Sequence, residues 1–356
     1  MNIRTETINS DIESTIRQRI DNFNHFLLEQ DVEKMPLGLF YGKTGLAVYF
    51  YYQARLTKNR QYEHFAGQLL DSVYVQIYDR MKIDVANGLT GICYGLNYLL
   101  KNNFVKGNPN RVLKELDDKI FNVLYFDFLE KSITKLEDLI TVVHCAHYFC
   151  NRLINNRLVK EERKLLEKIV IKCINTVESS VAFDKMKEAC VFLVFDYFPA
   201  IYFSLIYKMY LLGFYNYKIQ KVCDEWSNSI LATIPLMGSH RLLLASILEK
   251  VNTCCHLPKW EKHIELLRYG IDIKVVLQTD FRNKNINIYD GLSGFCLFLY
   301  KNAMITNGIK EVIAGKIAGS EKWSEFEFSN DEAKLYNIGL ISGLAGVILT
   351  YQKLFE

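Results

Sequence analysis

The sequence of 356 residues has few features that mark a boundary between domains or a membrane-spanning segment. It contains only five prolines and no Ser/Gly-rich linker, so we expect one domain over residues 1–356. The first residues lack the apolar core of a signal peptide. The nearest approach to a membrane span of about 18 apolar residues, from Cys190 to Leu212, is interrupted by Asp196, Pro199 and Lys208.

An excess of one charge is also absent. The chain has 43 basic and 40 acidic residues, a net charge of +3, and no basic stripe, which argues against a nucleic-acid surface. Patterns typical of β-strands are few. Nine cysteines, an odd number without an export signal, predict reduced thiols in a cytoplasmic protein. Most of them, such as Cys93 and Cys296, are expected to be small core residues.

The sequence contains four copies of a Gly-x-x-Gly motif, each followed by a run of apolar residues. The copies begin at Gly42, Gly88, Gly291 and Gly343. Two glycines three residues apart at a helix start lie one above the other, so that another backbone segment can come close. One isolated copy would mean little, but four copies that open four apolar helices predict a repeat protein.

The spacing of the copies gives the number of repeats. Consecutive copies lie about 46 and 52 residues apart, and the gap of about 203 residues between Gly88 and Gly291 leaves room for three units without the motif. Seven units of roughly 50 residues therefore fill the chain.

Amphipathic segments alternate with the apolar ones. A capping box at Ser10–Glu13 predicts the start of the first amphipathic helix. Further outer helices are predicted by apolar positions within 66–77, 112–124, 166–177 and 260–271. The third, fourth and fifth inner helices should begin near Asp138, Pro199 and Gly238. The alternation predicts an all-α fold, an α/α toroid with about seven inner and seven outer helices.

A seven-fold double ring whose inner helices begin with Gly-x-x-Gly resembles the lanthionine synthetase C-like family, the cyclases of lanthipeptide biosynthesis. The segments that carry the resemblance are 42–51, 88–100, 290–300 and 339–351. It implies an α/α toroid in which a Cys of the fifth inner unit and a Cys-His pair of the sixth bind zinc. The zinc activates a substrate cysteine thiolate, which adds to a dehydrated serine or threonine, and metal binding does deprotonate a thiol at neutral pH.

The chain departs from this pattern at the zinc positions. Tyr289 and Asp290 stand where the family has Cys-His, and Leu236 occupies the position of the third ligand. The family's catalytic histidine falls near Pro199. Because a catalytic zinc site needs three protein ligands, we expect no zinc and no other cofactor there. Family domains fused to kinase and lyase modules also lack these ligands, so their loss does not exclude cyclisation.

Several polar residues are candidates for a site at the inner-helix starts. Asp138 matches the family aspartate of the third unit and could transfer protons, while Asp290 and the neighbouring Tyr289 could bind a ligand. The alternative for both acids is helix capping. His240 and Arg241 could bind an acidic or carboxylate group, the alternative being a solvated loop end.

Two groups invite a metal interpretation. His144, His147 and Cys150 lie near one face of a helix, so two imidazoles and a thiolate could converge. The alternative is a degenerate inner helix whose histidines form hydrogen bonds. The segment from Cys254 to His256 is a second group, for which a loop without metal is the alternative.

Two hypotheses for function follow. The first is a degenerate, zinc-free family member that acts in the maturation of a ribosomally made peptide. It would bind the precursor peptide, or a dehydratase or other modifying enzyme. The second is a zinc-independent cyclase in which Asp138 handles protons and the cavity orients the peptide. Whether the protein is an enzyme is open at this point. A glycan-active toroid using two acids is a third possibility, without a clear carboxylate pair.

Overall fold

The computed structural model describes residues 3–155, 158–180, 191–282, 285–324 and 336–355. These residues form helices, turns and loops, with no β-strand among them, so the all-α prediction is confirmed. The arrangement as a two-layered toroid stays a prediction. In the part of the chain that is described, no helix is both long and apolar enough to cross a membrane.

Sixteen helices organise the description that follows. They are α1 Ile3–Leu28, α2 Lys43–Thr57, α3 Arg60–Gln76, α4 Leu89–Lys101, α5 Pro109–Val112, α6 Lys114–Val123, α7 Leu136–Asn155, α8 Lys160–Ser180, α9 Phe198–Leu212, α10 Asn216–Leu231, α11 Gly238–Cys255, α12 Pro258–Arg268, α13 Ile273–Thr279, α14 Leu292–Lys301, α15 Asn307–Ala318 and α16 Leu344–Phe355. A 3-10 turn covers Val32–Lys34, and a π-helical segment, Leu124–Leu129, continues α6.

The helices belong to two compact units. The first unit combines Met1–Ile77 with Asp272–Glu356, and the second is Tyr78–Ile271. The first therefore contains α1 to α3 and α13 to α16, and the second contains α4 to α12. The expectation of one domain over residues 1–356 stays a prediction.

The repeat period located three helices that lack the glycine motif and that were predicted as inner helices. They were expected to begin near Asp138, Pro199 and Gly238, and α7, α9 and α11 begin at Leu136, Phe198 and Gly238. The period of about 50 residues thus predicts helix starts where no local motif marks them.

The helices predicted as outer ones lie near the predicted apolar positions, with three corrections. The helix predicted within 112–124 is divided into α5, which ends at Val112, and α6, which begins at Lys114. The capping box at Ser10 does not start a helix, because α1 already begins at Ile3 and runs through it. The helix predicted to reach Ile271 ends at Arg268. Gly270 follows with a φ of +68°, the left-handed conformation that commonly terminates a helix. The predicted positions in α8, by contrast, are all buried: Leu166, Ile169, Val170, Cys173 and Val177.

The glycine motifs let a backbone segment cover the helix start, as predicted. Gly42, Gly88 and Gly291 precede their helices in an extended conformation and offer no side-chain cap. Instead, the first N–H groups of the helix donate to carbonyls seven residues earlier in the chain. In the first copy these bonds are Lys43 to Pro36 at 2.7 Å, Thr44 to Leu37 at 3.2 Å and Gly45 to Gly38 at 3.3 Å. A Cβ atom on Gly42 would overlap the Pro36 carbonyl oxygen.

Within the first unit, the loops before α2, α14 and α16 are joined by backbone hydrogen bonds. Ile341 N–H donates to Phe40 O at 2.9 Å, and the N–H groups of Ile288 and Tyr289 both donate to Ile341 O, at 3.0 and 2.9 Å. Helix α16 contacts both α14 and α2. The last copy of the motif therefore lies between the first copy and the copy at Gly291.

Candidate functional site

The loop before α14 is held together by its own polar side chains. Asn285 Nδ2 donates to Asp290 Oδ1 at 2.8 Å. The backbone N–H of Asp290 donates to Asn287 Oδ1 at 3.1 Å, and that of Asn287 donates to Asn285 Oδ1 at 3.3 Å. The N-cap of α14 is Gly291. The Asp290 carboxylate therefore braces the loop from within.

This loop forms one wall of a polar pocket of about 230 Å³ in the first unit. Its lining residues come from the loop, from the start of α16 and from the segment after α15: Asn285, Ile286, Asn287, Asp290, Lys322, Asn337, Ser342, Gly343, Leu344 and Val347. Asn287 Nδ2 donates to Ser342 O at 3.0 Å and so joins the two walls. The volume is below the range of about 300–1,000 Å³ of typical small-molecule sites.

Aromatic rings pack along the same three loops. The Tyr289 ring packs against Phe40 with centroids 5.6 Å apart, and the Tyr289 N–H is the donor to Ile341. Tyr41 packs against Tyr336 with centroids 4.1 Å apart, and Tyr336 is 49% exposed. Tyr336 is joined to the pocket wall, because the Ser342 hydroxyl donates to its carbonyl oxygen at 3.1 Å.

The positions of the family's zinc ligands hold no comparable set here. The Tyr289 ring packs on Phe40, and the Asp290 carboxylate accepts the Asn285 amide. Leu236, which belongs to the second unit, is 84% exposed and offers no donor atom. Among the residues that the structure describes, no group of three or more His, Cys, Asp or Glu side chains is placed to hold a metal ion.

Asp138 lies in the first turn of α7, in the second unit, and is half-buried. The first turn also contains Glu137, and the unpaired N–H groups and dipole of a helix N-terminus stabilise carboxylates at such positions. The structure therefore places Asp138 where its carboxylate can stabilise the start of α7, the capping alternative, and its role in proton transfer stays a prediction.

His240 is 1% exposed and anchors the segment before α9. Its Nε2 atom accepts the Leu193 N–H at 3.1 Å, and its ring stacks on Tyr197 with centroids 4.4 Å apart. Because Nε2 accepts a hydrogen bond, the ring proton of the neutral imidazole lies on Nδ1. His240 is therefore a buried residue that holds the segment before α9 in place through one hydrogen bond and one ring contact.

Arg241, the next residue, joins α11 to the end of α12. Its Nη2 atom donates to Leu266 O and Tyr269 O, both at 3.0 Å. These carbonyls lie in the last turn of α12 and just beyond it, where a cation also interacts favourably with the helix dipole.

The two histidines of α7 also form hydrogen bonds with backbone groups. His144 Nε2 and His147 Nε2 lie 2.8 Å from the carbonyl oxygens of Phe195 and Ile201, so each carries the proton that it donates. Burial lowers the pKa of His144 and lowers that of His147 well below its usual value, so both rings are neutral at pH 7. Burial also raises the pKa of the Cys150 thiol to about 12. The three side chains support the alternative of hydrogen-bonded core residues.

The second group, at the end of α11, does not converge either. Cys255 is buried, with its sulfur 3.4 Å from that of Cys223, whereas Cys254 is half-buried. His256 is exposed and ends the helix with a φ of 49°. The expectation that Cys93 and Cys296 are small core residues is confirmed, because both are fully buried.

Sequence reasoning missed most of the pocket. It singled out Asp290 but not its partners Asn285 and Asn287, although asparagines in the loop before a helix are a recognisable signal, since their side chains form hydrogen bonds with neighbouring backbone. Lys322 and Asn337 lie in segments without any motif, so no local pattern could have placed them in the site.

No protein-family model matches the chain, and no curated protein matches it.

Proposed function

We propose that the chain is a degenerate, zinc-free member of the lanthionine synthetase C-like family that binds a precursor peptide during the maturation of a ribosomally made peptide. One observation carries the proposal. Where the family has a Cys-His pair, this chain has a loop braced by Asn285 and Asp290, and the loop opens onto a polar pocket. The pocket offers amides and charges where a metal-dependent cyclase would offer zinc ligands.

The repeat pattern supports the family assignment. The motif copies begin their helices with the same backbone cover: Leu292, Ser293 and Gly294 donate to carbonyls seven residues earlier, as in the first copy. The last copy lies between the first and the copy at Gly291, an arrangement that a closed seven-unit ring would require. The α/α toroid is part of the proposal.

The pocket chemistry supports a peptide as the ligand. A peptide backbone presents alternating N–H donors and carbonyl acceptors, and the asparagine amides of the pocket supply both kinds of partner. Asp290 and Lys322 add one charge of each sign at the lining. The exposed ring of Tyr336 beside the pocket offers an apolar face for a peptide side chain.

The binding proposal is tested with the full-length chain and a display library of random ten-residue peptides. Selected peptides are synthesised, and their dissociation constants are measured by calorimetry for the wild type, for Asp290→Asn and for Asp280→Asn. Asp280 lies just after α13 in the same unit, outside the pocket. Because hydrogen bonds to a charged group contribute about 1.5–3 kcal/mol, we expect Asp290→Asn to weaken binding about tenfold or more.

The Asp280→Asn variant should bind the selected peptides as the wild type does. If every selected peptide binds Asp290→Asn and the wild type equally well, the pocket is not the binding site and the proposal fails.

The zinc-independent cyclase is separated from a binding protein by a thiol-trapping experiment. A synthetic peptide with one dehydroalanine and one cysteine is incubated with or without the protein, its remaining thiol is alkylated, and the products are weighed by mass spectrometry. Ring closure itself changes no mass, but it removes the thiol that the alkylating reagent would mark.

For a binding protein, the alkylated fraction is the same with and without the chain. A protein-dependent loss of alkylation that disappears in Asp138→Asn, but persists in the neighbouring exposed variant Glu137→Gln, would replace the binding proposal by a cyclase.

A further inference from the structure

Two buried thiols are in contact in the second unit, and one of them belongs to the segment Cys254–His256, whose side chains do not converge on a metal site. Cys223 lies in α10, and Cys255 is the last residue of α11. Their sulfur atoms are 3.4 Å apart, within the distance of a weak S–H···S hydrogen bond. Cys223 is fully buried, and Cys255 is 7% exposed. The contact joins residues that are 32 positions apart in the chain.

We propose that Cys223 and Cys255 form a reversible disulfide that fastens α10 to the carboxyl-terminal end of α11. A disulfide bond is about 2.05 Å long, so the two sulfurs need to approach by about 1.4 Å. Side-chain rotation with a small shift of the helix end supplies a movement of this size, because Cys255 is followed by His256, which already leaves the α-helical conformation.

The arrangement distinguishes the two thiols. The hydrogen bond with Cys223 lowers the pKa of Cys255, and the same contact raises the pKa of Cys223. The thiolate is the reactive form of cysteine, and of the pair Cys255 is also the one that reaches the surface. Cys255 is therefore the thiol that reacts first, and Cys223 is the thiol that resolves the intermediate.

With hydrogen peroxide as the oxidant, the chemistry has two steps. The Cys255 thiolate attacks one peroxide oxygen, the O–O bond breaks, and the departing hydroxide takes up a proton to become water. The resulting sulfenic acid is attacked by the Cys223 sulfur, which gives up its proton as the S–S bond forms and a second water leaves. Two thiols and one peroxide thus yield one disulfide and two waters, and a dithiol reductant reverses the reaction.

Cys254 provides the control that the pair needs. It is adjacent to Cys255 in the chain and more exposed, and its sulfur lies 3.7 Å from the Lys250 carbonyl oxygen of its own helix. An oxidant that reacted by exposure alone would modify Cys254. Oxidation directed by the contact between sulfurs would leave Cys254 as a thiol.

The experiment uses the full-length protein, reduced, freed of reductant and treated with hydrogen peroxide. Free thiols are then alkylated, the chain is digested with trypsin without reduction, and the masses of the peptides are measured by mass spectrometry. Cleavage after Lys221, Arg241, Lys250 and Lys259 yields peptides 222–241 and 251–259. We expect these two peptides to appear joined, lighter by two hydrogens than their sum, and to separate after treatment with dithiothreitol.

The joined peptides should persist in Cys254→Ser and be absent in Cys223→Ser and Cys255→Ser. Titration of thiols in the denatured wild type gives a second measurement that needs no variant: the count should fall from nine to seven. The proposal is overturned if the count stays at nine, if peroxide yields only sulfinic or sulfonic acids, or if the link depends on Cys254 and not on Cys255.

Discussion

The glycines of the motif are required by contact with backbone and not by their own backbone angles. Gly42, Gly88 and Gly291 all have negative φ values in the extended range, which any residue can adopt. A Cβ atom on Gly291 would lie 2.8 Å from the carbonyl oxygen of Asn285, closer than real Cβ contacts. The motif therefore marks where a loop covers a helix start, which is why it predicted the starts of the helices that follow Gly42, Gly88 and Gly291.

Replacement of Gly346 by alanine should destabilise the first unit. A Cβ atom there would overlap the carbonyl oxygen of Leu340 and lie 2.7 Å from the Ile288 side chain. Overpacking of this kind costs about 1–3 kcal/mol, partly offset by the higher helix propensity of alanine. We expect a lower midpoint of urea unfolding for Gly346→Ala.

Gly315→Ala is the matched control within the same unit. Gly315 lies inside α15, and its Cβ atom would meet no other atom within 4 Å. Alanine there should raise the midpoint of urea unfolding, because it increases the free energy of unfolding by up to about 1 kcal/mol. Equal effects of the two substitutions would contradict the role of close contact at the motif.

The buried histidines of α7 make the stability of the second unit depend on pH. Burial, the nearby Lys208 and His144 all lower the pKa of His147 in the folded chain. The unfolded chain titrates near the usual value of about 6.5, so below this pH it binds a proton that the folded chain does not. The contribution of His147 to stability is therefore lost progressively as the pH falls below about 6.5.

We expect His147→Gln to weaken this pH dependence. The glutamine amide can donate the same bond to Ile201 O but does not titrate. The measurement is the unfolding midpoint at several pH values from 7.5 to 5.5, compared between wild type and variant. Burial raises the pKa of Asp117 and of Glu178, an effect of opposite sign, so the difference from wild type isolates His147. The exposed control His256→Gln should leave the slope unchanged, and an unchanged slope in His147→Gln would refute the assignment.

At the scale of helices and loops, the sequence predicted where helices begin better than what holds them together. The repeat period located the starts of α7, α9 and α11, because it depends on the whole chain and not on one local signal. The capping box at Ser10 is a local signal, and the continuous helix from Ile3 overrode it.

In the candidate site, too, the sequence did not predict the contacts that depend on tertiary packing. Asp290 was identified from its position before a motif glycine, but its Asn285 partner and the pocket wall from Ser342 are set by tertiary packing. The carbonyl partners of His144 and His147 lie more than fifty residues away, at distances in the chain for which no local pattern exists.

The bridge from α11 to α12 gives a prediction at this scale. Arg241→Met keeps the aliphatic stem and removes the two hydrogen bonds to the end of α12. Hydrogen bonds of this kind contribute about 1–3 kcal/mol to stability, and this side chain is partly exposed. We therefore expect Arg241→Met to lower the free energy of unfolding, measured by chemical denaturation, by about 1 kcal/mol. Arg111→Met, on exposed α5 of the same unit, should change stability by less than about 0.5 kcal/mol. Equal losses in the two variants would mean that the bridge contributes nothing.

At the scale of the whole molecule, the question is whether the chain needs a metal to fold or function. Zinc in proteins is bound by cysteine, histidine and carboxylate groups in sets of three or four. At the family's ligand positions this chain has a packed tyrosine, an aspartate already bonded to an amide, and an exposed leucine: Tyr289, Asp290 and Leu236. The only charged oxygen donor among them is engaged within its loop.

We therefore expect the purified, tag-free full-length chain to contain far less than one equivalent of zinc by elemental mass spectrometry. A metal bound only to the folded state stabilises it in proportion to the logarithm of its concentration over its dissociation constant. Neither a chelator nor added micromolar zinc should then shift the thermal unfolding midpoint. Near-stoichiometric zinc, with a midpoint that falls on chelation, would contradict the zinc-free proposal. It would require a ligand set other than Tyr289, Asp290 and Leu236, and metal-assisted thiol addition would then become the leading hypothesis for the function of the protein.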